Sequence, residues 1–203
     1  MPKGYIIGHI TVNDPEAYKE YVEKDTPIVL ASGGRFLVRG GQAQVVEGQA
    51  EDRHVIFEFD SFETALASYR DPAYQEVAKI RHASASSTIM VVEGHDEDLP
   101  DPAGEAPLGF LIGHVDIHNP DGYRPYVEGN TPVMRSHGGR FIVRGGRAEV
   151  MEGATGARHV VVAYPSYSAA QAAYNDPAYQ ELIAIRQQHS EGTIIIAEGT
   201  PHE

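Results

Sequence analysis

The amino-acid sequence predicts an α+β protein made of two copies of one unit, each with the element order βαββαβ. Two observations support this fold class. Residues 4–94 align with residues 109–199 without a gap, and roughly 40 of about 90 aligned positions are identical. Each copy also alternates β-branched apolar segments with capped helical segments. We therefore predict a first unit over residues 1–94, a linker over 95–108 and a second unit over 109–203.

The first half of each copy is predicted from its end signals. Residues 5–12 form an apolar, β-branched run that is typical of a strand. Asp14 and Pro15 then mark a helix start, because aspartate caps a helix and proline suits its first position. This helix should end at Gly33 and Gly34, where glycine can adopt the left-handed backbone of a helix C-terminus.

The second strand is predicted to bend. Residues 35–38 and 43–47 are both strand-like, and Gly40 and Gly41 lie between them. A glycine pair inside a strand usually marks a bulge or a sharp bend, so we interpret the two segments as one continued strand. The remaining elements are a strand over 54–59, helices that start after Ser61 and after Asp71, and a last strand over 88–93.

This element order is the ferredoxin-like pattern. Two helices would cover one face of the sheet, and the apolar second face needs cover that the sheet of the other copy could provide. The linker is rich in proline and acidic residues, which favours an extended segment. We therefore predict that the two units pack sheet to sheet as an intrachain pseudo-dimeric α+β barrel.

The composition limits the partners. A formal net charge of -13 argues against binding of nucleic acid or of an anionic membrane surface. The chain has no cysteine, which excludes disulfides and thiolate chemistry. We identify no signal peptide and no apolar run that could span a membrane. The prediction is a soluble cytoplasmic protein that acts on or binds a small molecule and could form a further homodimer.

Two histidines lie in the middle of apolar strands. Alternation places His9 on one strand face with Tyr5 and Ile7, and His114 repeats this position in the second copy. A histidine among buried neighbours needs a partner, and its pKa near neutrality suits proton transfer. It is either a hydrogen-bonded core residue or a general acid/base in a pocket. His54 and His159 start the third strand of their copies and are expected at the surface.

Arginines recur beside the glycine pairs. Arg39 and Arg144 precede these pairs, and Arg35 and Arg140 lie four residues earlier on the same strand face. A guanidinium binds a carboxylate or phosphate through two hydrogen bonds, so these residues could bind an anionic substrate or stabilise an enolate. The alternative is an ion pair with a helix acid such as Glu23 or Glu76.

Tyrosines at helical spacing also recur. They are either core residues with one polar end or hydrogen-bond donors that contact a substrate. The candidates for substrate binding are Tyr18, Tyr21 and Tyr69 in the first copy and Tyr123, Tyr126 and Tyr174 in the second.

Motifs of other site classes are missing from the sequence. The ten histidines form no HxH or HExxH spacing, so no metal site is predicted. There is no GxSxG motif, no dinucleotide fingerprint after a strand and no phosphate-binding loop. We therefore expect neither a metal nor a cofactor.

Both copies resemble the domain-of-unknown-function 1330 family, a branch of the dimeric α+β barrel superfamily. The resemblance covers almost all of each copy and is carried in the first by residues 14–18, 33–41, 58–61, 71–74 and 92–94. It implies a fold and not a reaction, because relatives in the superfamily include cofactor-free monooxygenases, polyketide cyclases, isomerases, dehalogenase-like enzymes and binding proteins. Typical members look like single domains, whereas this chain joins two.

The retained residues lead to three hypotheses. The first is a cofactor-independent small-molecule enzyme of the isomerase, cyclase, dehydratase or monooxygenase type. In it, His9 or His114 is the acid/base, Arg39 or Arg144 stabilises negative charge and a tyrosine orients the substrate. The second is a non-catalytic small-molecule binding protein. The third is a structural or assembly module in which all retained residues serve the fold.

Overall fold

The computed structural model describes residues 2–201, which form ten strands and six helices. Each repeat contributes five strands and three helices. Those of the first repeat are β1 (Gly4–Val12), α1 (Pro15–Ala31), β2 (Arg35–Arg39), β3 (Ala43–Glu47), β4 (Arg53–Phe59), α2 (Phe62–Arg70), α3 (Pro72–Ser84) and β5 (Ala85–Glu93). Those of the second repeat are β6 (Gly109–Ile117), α4 (Pro120–Ser136), β7 (Arg140–Arg144), β8 (Ala148–Glu152), β9 (Arg158–Tyr164), α5 (Tyr167–Asn175), α6 (Pro177–His189) and β10 (Ser190–Glu198).

The predicted helix starts are confirmed. The Asp14 carboxylate caps α1 and accepts hydrogen bonds from the backbone N–H groups of Glu16 and Ala17, both at 3.1 Å. Asn119 caps α4 in the same way and accepts from Gly122 N–H at 3.1 Å. These caps satisfy N–H groups that have no partner within the first turn of a helix, and so they fix where each helix begins.

The strands form two antiparallel five-stranded sheets. Unit 1 has the strand order β2-β4-β1-β5-β8, and unit 2 has the order β3-β10-β6-β9-β7. In unit 1, the four strands β2, β4, β1 and β5 come from the first repeat and keep the ferredoxin-like order. The fifth strand, β8, comes from the second repeat, and β3 of the first repeat is correspondingly part of unit 2. The α+β fold class with two βαββαβ-like halves is therefore confirmed.

The prediction that β3 continues β2 is wrong. β2 pairs with β4 in unit 1, whereas β3 pairs with β10 in unit 2, with Val45 opposite Ile195. Gly40 and Gly41 have φ values of 76° and 92°, which side-chain-bearing residues rarely adopt. The glycine pair thus turns the chain out of the first sheet, and Gly145 and Gly146 do the same before β8.

The helices of each unit pack on one face of its sheet. In unit 1, Ile6 and Ile10 of β1 point toward the helices and pack with Tyr18 and Tyr21 of α1. Tyr5, Ile7 and His9 point to the other face and are also buried. None of the helices within residues 2–201 is long and apolar enough to cross a membrane.

Candidate functional site

Each unit has a cavity between its sheet and its first helix. The cavity volume is about 40 Å³ in each unit, and the larger volumes of about 480 Å³ in unit 1 and about 550 Å³ in unit 2 include space that is open to solvent. Gly8 and Gly113 lie in the floors of these cavities. A Cβ at Gly8 would lie 2.9 Å from Ile89 Cδ1, so the missing side chain keeps the floor open.

A buried carboxyl group lines the unit 1 cavity. Asp25 lies seven residues after Tyr18 and four after Tyr21, which places all three on one face of α1. Asp25 is only 5% exposed, and its Oδ1 has no hydrogen-bond partner within residues 2–201. Burial raises the pKa of Asp25 to about 6, although the charge of Arg81, a hydrogen bond with Tyr21 and the charge of Arg39 partly oppose that rise.

The second unit has an amide at this position. Asn130 occupies the place in α4 that Asp25 occupies in α1, lines the unit 2 cavity and is buried. An asparagine side chain has the shape of an aspartate but cannot ionise. The two cavities therefore differ in whether they contain a base.

The tyrosines around each cavity are neutral hydroxyl groups. Tyr18, Tyr21 and Tyr74 line the unit 1 cavity, and burial raises the pKa of each. In unit 2, burial raises the pKa of Tyr123 and that of Tyr179 to about 12. At neutral pH these side chains can donate a hydrogen bond but cannot act as bases.

Two arginines form one wall of the unit 1 cavity. Arg39 donates from Nη2 to Thr26 Oγ1 at 2.6 Å, and its guanidinium lies 4.2 Å from the centre of the Phe36 ring. Arg53 donates from Nη2 to the Arg39 carbonyl oxygen at 3.1 Å. A Cβ at position 40 would lie 2.5 Å from Arg53 Nη1, and the φ of 76° at this position favours glycine. Arg144 and Arg158 line the unit 2 cavity at the equivalent positions.

The exchanged strands are β3, which belongs to unit 2, and β8, which belongs to unit 1. Each of them places a glutamate beside a buried arginine. In unit 1, Arg81 Nη2 lies 2.7 Å from Glu152 Oε1 of β8. In unit 2, Arg186 Nη2 lies 2.6 Å from Glu47 Oε2 of β3. Arg186 lines the unit 2 cavity, and the charge of Arg81 acts on Asp25 in unit 1. Each cavity is thus supported by a residue from the other repeat.

The predicted catalytic histidines lie on the sheet face opposite the cavities. His9 Nδ1 is 2.8 Å from His54 Nδ1, and both rings are buried. His114 and His159 form the same contact at 2.8 Å. Neither His9 nor His114 is among the residues that line the two cavities. A catalytic role for them therefore stays a prediction.

The expectation that His54 and His159 lie at the surface is wrong. In the register of β1 with β4, His54 is directly opposite His9, so it points into the same buried layer. The strand begins one residue earlier than predicted, at Arg53. Burial lowers the pKa of His54 and of His159, which favours their neutral forms.

The other predicted residues divide into two groups. Six of them line the cavities: Tyr18, Tyr21, Arg39, Tyr123, Tyr126 and Arg144. The second group is placed elsewhere. Tyr69 and Tyr174 donate to Glu152 and Glu47 of the exchanged strands. Arg35 forms an ion pair at 2.7 Å with Glu58, which lies opposite it on β4, and not with an acidic residue of a helix. Arg140 is exposed.

Sequence reasoning missed Asp25, Asn130 and the second arginine of each cavity, Arg53 or Arg158. The spacing of Asp25 from the two tyrosines was a usable signal, because it places a carboxyl group on the predicted buried face of the helix. Among residues 2–201 there is no group of three or more His, Asp or Glu side chains that could hold a metal ion.

Comparison with solved structures shows the same fold in other proteins. An anthrone oxidase-like protein is 14% identical with a TM-score of 0.58, and the match covers 98% of this chain and 92% of that one. A proposed monooxygenase from Fusobacterium nucleatum is 10% identical with a TM-score of 0.54, over 100% and 93% of the two chains. Another from Lactobacillus acidophilus NCFM is 15% identical with a TM-score of 0.51, over 100% of both chains. These likenesses show the fold alone.

The sequence comparisons give a family. No curated protein shows significant similarity to the chain. The model of the DUF1330 family, a domain of unknown function, matches residues 3–95 and again residues 108–200. Its two matches coincide with the two repeats, which confirms the tandem duplication. The chain therefore belongs to the DUF1330 family and contains two copies of its domain.

Proposed function

We propose that the chain is a cofactor-independent acid–base enzyme that acts on a small molecule in the unit 1 cavity. The observation that carries this proposal is the buried Asp25 carboxyl group, which lines the cavity. Its Oδ1 has no hydrogen-bond partner among the described residues, and burial raises its pKa to about 6. A general base works best when its pKa lies near the working pH. An ordinary exposed aspartate, with a pKa near 3.8, is a much weaker base.

The arrangement suits removal of a proton from a carbon next to a carbonyl group. Asp25 Oδ1 takes the proton, and negative charge develops on the carbonyl oxygen of the substrate. Arg39 and Arg53 supply the positive charge that stabilises this oxygen. The tyrosine hydroxyls act as hydrogen-bond donors that orient the substrate. Isomerisation, cyclisation, dehydration and oxygenation of an electron-rich substrate can each begin with such a step.

The fold supports the class of function without naming the reaction. Solved proteins of this fold are named as proposed monooxygenases or as anthrone oxidase-like, and those names concern small-molecule chemistry. A cytoplasmic location and a further homodimer stay predictions from the composition. A purely structural role for the repeats has less support, because each unit contains a cavity lined by buried polar groups.

Deuterium exchange tests the proposal without knowledge of the natural substrate. The protein is incubated in D₂O with a panel of ketones and 1,3-dicarbonyl compounds of increasing size, anthrone included, and deuterium uptake is followed by mass spectrometry. Wild type should accelerate uptake into at least one compound at neutral pH. Asp25→Asn should lower that rate by about 100-fold or more, since it keeps the shape of the side chain and removes the base.

Two controls make this experiment decisive. Asp121→Asn removes an exposed carboxylate of α4 and should leave the exchange rate unchanged. His9→Ala and His114→Ala test the histidines on the opposite sheet face. Exchange that survives in Asp25→Asn but disappears in His9→Ala would contradict the assignment of Asp25 and favour the histidine.

A further inference from the structure

The unit 2 cavity differs from the unit 1 cavity in its charge. Arg144, Arg158 and Arg186 all line it, and within residues 2–201 only Arg186 has an acidic partner, Glu47. Asn130 contributes no charge where unit 1 has the Asp25 carboxyl group. We infer that the unit 2 cavity is a separate, non-catalytic binding site for a small monocarboxylate with an aromatic or apolar body. This inference does not depend on the activity proposed for unit 1.

Unpaired donors point to an acidic ligand. The Nε atoms of Arg158 and Arg186 are buried, and neither has a hydrogen-bond partner within the described part of the chain. Buried N–H groups of this kind usually have an acceptor, and an arginine side chain can only donate. A carboxylate offers two oxygens with several acceptor positions, and it matches a guanidinium in charge and in shape.

Unit 1 is less suited to the same ligand. Its cavity is lined by Arg39 and Arg53 but also by Asp25, whose charge would repel a carboxylate. Arg53 Nε and Arg81 Nε also have no hydrogen-bond partner in the part of the chain that the structure describes, but Arg81 is not among the residues that line the unit 1 cavity. The change from aspartate to asparagine thus converts a cavity with a base into one that is suited to an anion.

The remaining wall of the unit 2 cavity is apolar, which favours a ligand whose uncharged part is aromatic or apolar. Tyr123 and Tyr126 add their rings beneath α4, with Tyr126 hydroxyl 3.0 Å from Tyr179 hydroxyl. The apolar lining residues are Leu111, Val115, Met134, Phe141, Val162 and Ile194. A single aromatic ring with one carboxylate would bury its ring here while its charge meets the arginines.

Fluorine NMR with 4-fluorobenzoate tests this inference, with the isosteric, uncharged 4-fluorobenzamide as the matched ligand. Wild type should broaden and shift the benzoate signal in a saturable way, bind the benzamide at least about tenfold more weakly, and release the benzoate unchanged. Absence of saturable benzoate binding, or equal binding of the benzamide, would overturn the inference.

Variants assign the binding to unit 2. Asn130→Asp keeps the shape of the side chain and should weaken benzoate binding at neutral pH by about tenfold or more. Arg158→Gln should do the same, and Arg124→Gln, which removes an exposed arginine of the same unit, should not. Asp25→Asn should instead create a second benzoate site in unit 1. Binding that is unaffected by Asn130→Asp would show that the ligand does not lie beside this residue and would overturn the assignment.

Discussion

Arg81 of α3 and Glu152 of β8 come from different repeats and form a buried ion pair in unit 1, with Nη2 and Oε1 2.7 Å apart. The Arg81 side chain is 0% exposed, and that of Glu152 is 17% exposed. Tyr69 and His82 also contact the Glu152 carboxylate. The same exchange brings Glu47 to Arg186 in unit 2. Each repeat therefore completes the buried polar network of the unit that the other repeat mainly forms.

Removal of the Glu152 charge should destabilise the protein strongly. Glu152→Gln leaves the Arg81 guanidinium buried without a counter-charge, and loss of one partner of a buried pair costs about 3–5 kcal/mol. Glu47→Gln should have a similar effect through Arg186. The measurement is the free energy of unfolding from urea denaturation, followed by circular dichroism.

An exposed pair across the same exchange provides the control for these variants. Glu63 binds Arg147 at 2.7 Å, and both side chains are more than half exposed. Glu63→Gln should change the unfolding free energy by less than about 1 kcal/mol, because solvent screens such pairs. Equal losses in Glu63→Gln and Glu152→Gln would contradict the claim that burial makes the Arg81 pair important.

The ion pair of Glu152 with Arg81 should also make the free energy of unfolding depend on pH in the acidic range. Burial alone would raise the pKa of Glu152, but hydrogen bonds from Arg81, Tyr69 and His82 outweigh burial and hold that pKa well below its usual range. Because the folded pKa is lowered, the stabilisation is present above the ordinary value of 4.5 and is lost as the pH falls below it. Urea denaturation at a series of pH values below 5 should show this loss in wild type and a smaller one in Glu152→Gln.

Asp25 should have the opposite pH dependence. Its pKa is raised in the folded state, from 3.8 to about 6, so its ionisation opposes folding as the pH rises through 6. Asp25→Asn should therefore stabilise the protein at pH 8, by up to about 3 kcal/mol, and should have little effect near pH 3. The check is the unfolding free energy of both proteins at these two pH values. Destabilisation at pH 8 would contradict the raised pKa.

Asn130→Asp is the matched variant in unit 2. It introduces a carboxyl group into a buried site, so it should destabilise the protein at pH 8 and not near pH 3. At pH 8 the changes in unfolding free energy caused by Asp25→Asn and Asn130→Asp should have opposite signs. That result would show that burial of the charge, rather than a general effect of aspartate, determines stability.

The two rings of each histidine pair should differ in whether Nδ1 carries a proton. A distance of 2.8 Å between His9 Nδ1 and His54 Nδ1 requires that one ring donates and the other accepts. Long-range proton–nitrogen NMR should therefore find one Nδ1 protonated and one unprotonated in this pair, and likewise for His114 and His159. Protonation of both Nδ1 atoms at neutral pH would contradict the contact.

Much of the fold could be predicted from local signals. Asp14 with Pro15 and the Asp71 cap fix helix starts because they act on backbone groups within a few residues. The exchange of β3 and β8 could not be predicted, because Gly40 and Gly41 permit either a bend within a strand or an exit from the sheet. The pairing of β3 with β10 joins segments about 150 residues apart, and only the tertiary structure decides that choice.

The candidate site could be predicted only in part. Arg39 and Tyr21 are predictable because they recur in both copies and have side chains that are typical of ligand contacts. Asp25 is not predictable from recurrence, because the second copy has Asn130 at this position. His9 has suitable chemistry, but the alternation of β1 places it on the face opposite to Gly8 and the cavity floor.

The most direct test of Asp25 as the base is a carbon NMR titration of its carboxyl group in ¹³C-labelled wild-type protein, with the spectrum of Asp25→Asn to assign the signal. We predict that this carboxyl group titrates near pH 6, as the buried base that we propose should. A midpoint near 3.8, the ordinary value for aspartate, would mean that Asp25 is solvated and would contradict its role as the base.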